Sequence, residues 1–283
     1  MIISLVPLEP LRLSGRAAVA LILDLVLAGC FDAEAPAVSP NQAQAPAEGR
    51  PEARSPDPGA PGRGETPDVP GGKACILGKV RFSGQPPPRQ PIRMDSDATC
   101  ASLHPGPVDP EDFVLNEDRT LRNVFVYISS GLEGKRFPVP ELPVELDQSK
   151  CRFVPHVFGL QTRQKLKVKN SDGTYHNVHA FSRKGQEFNQ GMPAGSLELV
   201  KTFPRPEVMV KFKCEVHPWM GAYCGILEHP FFSVTDGEGE FEISDLPPGA
   251  YRITAWHEKL GELEKEVELA ANERRTIDFL YEE

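Results

Sequence analysis

Several things are scarce in this sequence, and each scarcity excludes something. No aromatic residue occurs between Phe31 and Phe82. Residues 31–73 are instead rich in Pro, Ala, Gly and Glu, and such a segment cannot bury enough apolar surface to offset its chain entropy. It reads as a tether. At about 3.1 Å per residue in polyproline II, it reaches on the order of 100 Å. No convincing helical period appears anywhere in the folded part; the best candidate, 258–268, alternates equally well as a strand. Basic charge is short too. Lys and Arg total 31 against 40 Asp and Glu, giving a net charge of −9, with the acids concentrated in the last third. That excludes a nucleic-acid binder, which needs a basic face, and permits a basic partner protein without demanding one. Outside one short stretch the histidines are scattered. A catalytic metal would need them clustered beside an open position, so the reading is not an enzyme.

What is present begins with a leader. Arg12 and Arg16 precede the apolar run 17–28, and Leu27-Ala-Gly-Cys30 follows. That order is a secretory signal ending in a small-residue cleavage site. Leu-Ala-Gly-Cys resembles the lipobox of bacterial lipoproteins. The resemblance implies cleavage before Cys30, lipidation of its thiol and a location in the cell envelope, periplasmic or on the outer surface. Asp24 inside the apolar run is unusual for such a leader. A short membrane anchor and an ordinary signal peptide stay open beside this reading.

There are six cysteines. With Cys30 lipidated and Cys214 used elsewhere, Cys75, Cys100, Cys151 and Cys224 remain. An even remainder in an oxidising compartment suggests disulfides. Three pairings are possible. The preferred one joins Cys100 to Cys151 and leaves Cys75 and Cys224 either paired or as buried thiols.

From about Lys73 onward the chain reads as β throughout. Strands are expected at 76–82, 124–129, 153–160, 165–169, 197–203, 208–214, 222–227, 241–243, 251–256, 263–269 and 276–281. In Lys165-Leu-Lys-Val-Lys169 a period of two puts three lysines outward. Gly, Pro, Asn and Asp mark the breaks, as in Asn170-Ser-Asp-Gly and Leu246-Pro-Pro-Gly. Many short strands with regular turn signals indicate sandwiches.

Two family resemblances refine this. Ser233-Val-Thr-Asp-Gly-Glu-Gly-Glu-Phe-Glu-Ile, followed by Leu246-Pro-Pro-Gly-Ala-Tyr251, resembles the second half of a carboxypeptidase regulatory-like domain, a transthyretin-like β-sandwich. Gly78-Lys-Val80 and Asn123-Val-Phe-Val-Tyr127 fit its first half but lie roughly a hundred residues early. The segment between resembles the cupredoxins, nearest in pattern to amicyanin and plastocyanin. Tyr175-His-Asn-Val-His179 matches the first-ligand region, and Cys214-Glu-Val-His-Pro-Trp-Met220 matches the ligand loop in its short form. The expected organisation is therefore a signal peptide at 1–29, a tether at 30–73, the first part of the regulatory-like sandwich at 74–148, an inserted cupredoxin Greek-key sandwich at 149–228, and the second part of the host at 229–283.

The resemblance implies one type-1 copper held by His176, Cys214, His217 and Met220. The chemistry agrees: a thiolate, two imidazoles and a distant thioether form the set that suits blue copper, whereas zinc would prefer a further Cys, His or carboxylate to Met. Asn177 is expected to tie the first-ligand segment to the Cys loop near the sulfur, in the manner of an outer partner that tunes a metal; a plain turn Asn is the alternative. His179, three residues from His176, faces the other way in a strand and is read as a non-ligand. Met192 is expected in a turn. Cys100 and His104, with Cys151 and His156, read as a disulfide beside two ordinary histidines. His217 sits mid-loop and is expected at the surface, with Pro218 and Trp219 beside it as the rim through which electrons enter; packing of Trp219 against the host sandwich is the alternative. The expected function is single-electron transfer with a redox protein such as a c-type cytochrome or an oxidoreductase, on a membrane tether. The alternative is copper storage or a scaffold role.

Overall fold

The computed structural model describes residues 72–282. The leader, Cys30 and the tether as far as residue 71 lie outside the described residues. Among the described residues no helix is long and apolar enough to cross a membrane. Among the described residues the fold is all-β except for one short helix, Ala98–Leu103.

Two four- to five-stranded pairs of sheets account for nearly all the strands. In the first pair, Ala74–Phe82 is central. It runs antiparallel to Glu240–Leu246 and parallel to both Arg274–Thr276 and Phe279–Tyr281. Its side chains alternate between buried and half-buried along all nine residues, as a strand with one face in a core must. Gly78 has a steric reason: a Cβ there would lie 1.9 Å from the Ile277 carbonyl oxygen, between the two segments that pair with this strand. The second sheet orders Phe232–Val234, Phe125–Ser130, Gly249–His257 and Gly261–Leu269, all antiparallel. One apolar cluster joins the two sheets, including Ile76, Val80, Phe82, Val126, Ile128, Ile253 and Phe279. It draws on residues from both ends of the described chain.

The second pair is built from the middle of the chain. One sheet runs Phe188–Met192, His176–Phe181, Glu207–Lys213, Gly221–Leu227 and Val157–Gln161; the other runs Leu199–Thr202, Lys165–Asn170, Val144–Ser149 and Arg152–Val154. Leu146, Phe158, Leu166, Val178, Phe212 and Ile226 are among its core residues. The boundary expected between 148 and 149 falls inside Val144–Ser149, which pairs in parallel with Lys165–Asn170. That strand escaped the sequence reading because its inward positions include Gln148, which is fully buried and donates to the Lys169 carbonyl. Met192, expected in a turn, ends the strand Phe188–Met192 and lies in the second core.

A third cluster lies where the two sandwiches meet. Phe125, Tyr127 and Phe232 from one pack with Val157 and Leu227 from the other. Phe125 stacks on Phe232 at 5.5 Å. Its ring also covers Gly225, where a Cβ would meet the ring at 2.2 Å. His156 pairs with Glu258 across the same seam.

Candidate metal centre

The centre is made by the end of one strand and the start of another. Glu207–Lys213 delivers Cys214 to the tip of its sheet, and His176 opens the adjacent strand His176–Phe181. The loop between Cys214 and Gly221 is closed by its own backbone: Met220 N–H donates to the His217 carbonyl (2.9 Å), and Cys214 N–H donates to that of Met220 (3.2 Å). These bonds turn His217 back over the thiol. His176, Cys214, His217 and Met220 are all buried, none more than 2% exposed.

The donor atoms converge. Nδ1 of His176 lies 2.9 Å from Nδ1 of His217, and Cys214 Sγ lies 4.0 Å from the latter. Asn177 Oδ1 accepts the Glu215 N–H (2.6 Å) and sits 3.3 Å from Sγ. The His217 N–H also points at Sγ, at 3.4 Å. The Asn177 amide is fixed from its other end, donating to Asn189 Oδ1 at 2.8 Å.

Each imidazole is held from behind by a carboxylate. His176 Nε2 lies 2.9 Å from Asp172 Oδ2. His217 Nε2 lies 3.3 Å from Asp97 Oδ2. Asp172 in turn accepts the backbone N–H groups of Lys150 (2.6 Å) and Cys151 (2.7 Å), which fix its orientation. A carboxylate behind an imidazole keeps the proton on Nε2 and leaves Nδ1 as a lone pair. Two such lone pairs 2.9 Å apart beside a thiol are electrostatically unfavourable unless a cation or proton lies between them. Burial pushes the His176 imidazole below its ordinary value, against the pull of Asp172. A metal cation therefore fits this donor set better than a proton does, and a set of two imidazoles and a thiolate, with a thioether in the same loop, suits copper.

His217 is where the structure departs most from the sequence expectation. It is not at the surface. The segment carrying the helix Ala98–Leu103 folds over it, and Cys100 Sγ lies 3.8 Å from His217 Nε2. Cys100 is bonded to Cys151 (S–S 2.02 Å). Trp219 donates its indole N–H to the Cys151 carbonyl at 3.0 Å and packs on Met94, Cys100, Val108 and Cys151. Only Pro218 of the expected entry rim is exposed. The open apolar face around His217 is thus absent, because a segment more than a hundred residues earlier covers it. Cys75 and Cys224 are free thiols, one half-buried and one buried.

Three groups of His, Cys and acidic side chains could hold a cation among the described residues. Two of them rely on Cys100 or Cys151, whose sulfurs are consumed in the disulfide, and only His176, Cys214 and His217 keep a thiol. His179 faces outward between Glu187 and Glu215, each 2.9 Å away. His104 bonds the Lys150 carbonyl. The two carboxylates behind the imidazoles were missed in the sequence. Asp172 had a legible signal, standing four residues before His176 in a turn. Asp97 had none.

Neither a family model nor a curated relative matches the sequence. Among solved structures, the chain is similar to a purple cupredoxin from Nitrosopumilus maritimus, at 16% identity over 29% of this chain and 97% of that one, with a TM-score of 0.25. It is also similar to an amicyanin mutant, at 17% identity over 36% and 97%, with a TM-score of 0.27. A copper-containing nitrite reductase from Thermus scotoductus is similar at 17% identity and a TM-score of 0.29; the match spans 36% of this chain and about a quarter, 26%, of that one.

Proposed function

We propose that this chain is a type-1 copper protein that carries single electrons, with His176, Cys214 and His217 as strong ligands and Met220 as a weak fourth. The observation that carries this reading is the orientation of the imidazoles. Both Nε2 atoms are engaged by carboxylates, so the two Nδ1 atoms face each other at 2.9 Å, with the Cys214 sulfur 4.0 Å from that of His217, in a buried pocket. Copper bound there would supply a one-electron couple. The chain's own part is to hold the ligands still. Asn177 and the His217 N–H steady the sulfur, the closed loop fixes His217, and burial keeps water out. A ligand set held this rigidly from behind reorganises little when its charge changes, which suits electron transfer. With three strong donors and Met220 provided by the chain, no position is left for a substrate, and the protein is not an enzyme on this reading.

The order of these residues along the chain resembles that of the cupredoxins. We read the sandwich that contains them, from Val144 to about 228, as inserted into a regulatory-like host formed by the segments on either side. The leader and Cys30 support a lipid-anchored place in the cell envelope, periplasmic or on its outer surface. The partner would be another redox protein, such as a c-type cytochrome or an oxidoreductase. Since His217 is covered, Pro218 and Val216, both exposed on the loop, are where such a partner would approach.

The test is optical and electrochemical. Residues 31–283 loaded with Cu(II) are expected to be intensely blue and to give a reversible one-electron wave. Cys214→Ala should remove the band without unfolding the chain. A colourless loaded wild type, or a Cys214→Ala protein that stays blue, overturns the assignment. A blue protein with no reversible wave would favour the storage or scaffold role instead.

A further inference from the structure

We propose that Asp97 is a positioning residue of the metal centre, carried over the outer face of His217 by a segment that the Cys100–Cys151 disulfide clips in place. The proposal rests on the copper reading above and adds to it a residue and a covering device that the ligand motif does not contain.

The geometry is specific. Asp97 caps the helix Ala98–Leu103: one of its oxygens accepts the Cys100 N–H at 2.9 Å. That bond leaves the other oxygen free to face inward. There it accepts the Thr174 hydroxyl at 3.2 Å and lies 3.3 Å from His217 Nε2. The carboxylate is thus oriented by the helix end it caps and by the loop that precedes His176. It is the only carboxylate within bonding distance of His217 among the described residues.

The segment bearing Asp97 is fastened at several separate points. Ile92 N–H donates to the Val108 carbonyl at 2.8 Å and closes its base. The disulfide ties its helix to Cys151. His104 Nε2 lies 2.7 Å from the Lys150 carbonyl. Arg152 donates to the Asp109 carbonyl at 2.7 Å. Cys151 is also the residue whose N–H Asp172 accepts, and whose carbonyl Trp219 bonds. A single residue therefore anchors the supports of both imidazoles. The consequence for His217 is that its side chain is 3% exposed while that of Asp97 is 24% exposed. Water and small anions reach the carboxylate before they reach the imidazole.

An Nε2–H held by Asp97 leaves Nδ1 of His217 as the ligating atom. Without Asp97 the imidazole can take the other tautomer or rotate, and the chain must spend binding energy to restore it. Outer partners of this kind typically change metal affinity by about 10- to 100-fold.

Two measurements on the full chain from residue 31 test this. The first needs no metal. Long-range proton–nitrogen correlation in the metal-free protein should find the His217 proton on Nε2, and Asp97→Ala should shift the ring toward the Nδ1–H form. A wild-type His217 with its proton on Nδ1 overturns the proposal whether or not copper binds. The second is titration with Co(II), read by its thiolate charge-transfer band. Asp97→Ala should weaken binding about 10- to 100-fold and let azide perturb the spectrum, as it should not in the wild type. Asp97→Asn, whose amide oxygen can still accept from Nε2–H, should recover most of the affinity. Equal affinity and equal azide resistance in wild type and Asp97→Ala overturn the proposal. Failure of the wild type to bind Co(II) or Cu(II), with the Nε2–H tautomer intact, would count against the copper reading alone.

Discussion

The two sandwiches of this chain use similar architecture for opposite purposes. The core of the first contains no sulfur: its buried cluster is made of aliphatic and aromatic side chains alone. The core of the second holds Met192, Cys214, Met220 and Cys224, and one end of it is opened for a ligand set. Histidine follows the same division. In the first sandwich His257 is buried edge-on to Phe113 at 5.5 Å, and its Nδ1 accepts the Lys259 N–H at 3.2 Å. In the second His176 and His217 each face a carboxylate. The lesson is that burial alone makes an imidazole a liability in acid, whereas a carboxylate behind a buried imidazole fixes which nitrogen it turns inward.

The largest effect should come from breaking the seam. Phe125→Ala removes the ring that fills the space over Gly225 and against Phe232, and large-to-small changes at such sites cost about 3–5 kcal/mol. The chain has two tryptophans, Trp219 by the metal loop and Trp256 at the seam, 5.0 Å from Tyr223 of the second sandwich, so single-tryptophan variants follow the loop end and the seam separately. The two denaturation curves should coincide in the wild type and separate in Phe125→Ala. Curves that remain superimposed, or a loss below about 1 kcal/mol, would mean that the sandwiches are coupled elsewhere.

Acid should act next, and mainly on the first sandwich. Burial lowers the His257 value to about 4, and it lowers that of His229 to about 4 as well. Between the free value near 6.5 and 4, the unfolded chain holds a proton that the folded chain does not. Stability is therefore full above pH 6.5 and falls as pH drops toward 4, by about 3 kcal/mol per group at the limit. Unfolding followed through Trp256 should show this slope, and His257→Gln should flatten it. At the seam the sign reverses. Burial would lower His156, but the pairing with Glu258 outweighs it and raises the value. That contribution is complete below pH 6.5 and is lost as pH rises through the raised value. A seam that tightens with rising pH would contradict the pairing.

The smallest effect should be at the outer face of the second sandwich. Glu145 lies 3.2 Å from both Lys167 and Lys169, with its side chain 45% exposed. Exposed pairs are screened, so Glu145→Gln should cost only a few tenths of a kcal/mol. A loss above about 1 kcal/mol would show that this lattice holds the Val144–Ser149 strand in place.

The sequence by itself determined the all-β class, because a period of two in Val208 to Cys214 or Lys165 to Lys169 permits little else. It also brought Cys214, His217 and Met220 together, because they lie within seven residues and their spacing is a property of one loop. The strands it hid were those whose inward positions are polar or whose two faces are both buried. Val144–Ser149 carries Gln148 inward, so its apolar alternation stops after Leu146, and His176–Phe181 buries four of its first five residues, so it does not alternate. What only the tertiary structure decided is what stands behind the two imidazoles. Asp97 meets His217 across 120 residues, and the cysteines that clip it there are 51 apart. A local pattern can specify a loop's shape, but whether His217 faces water or a carboxylate depends on which distant segment folds across it, and no spacing within the loop records that.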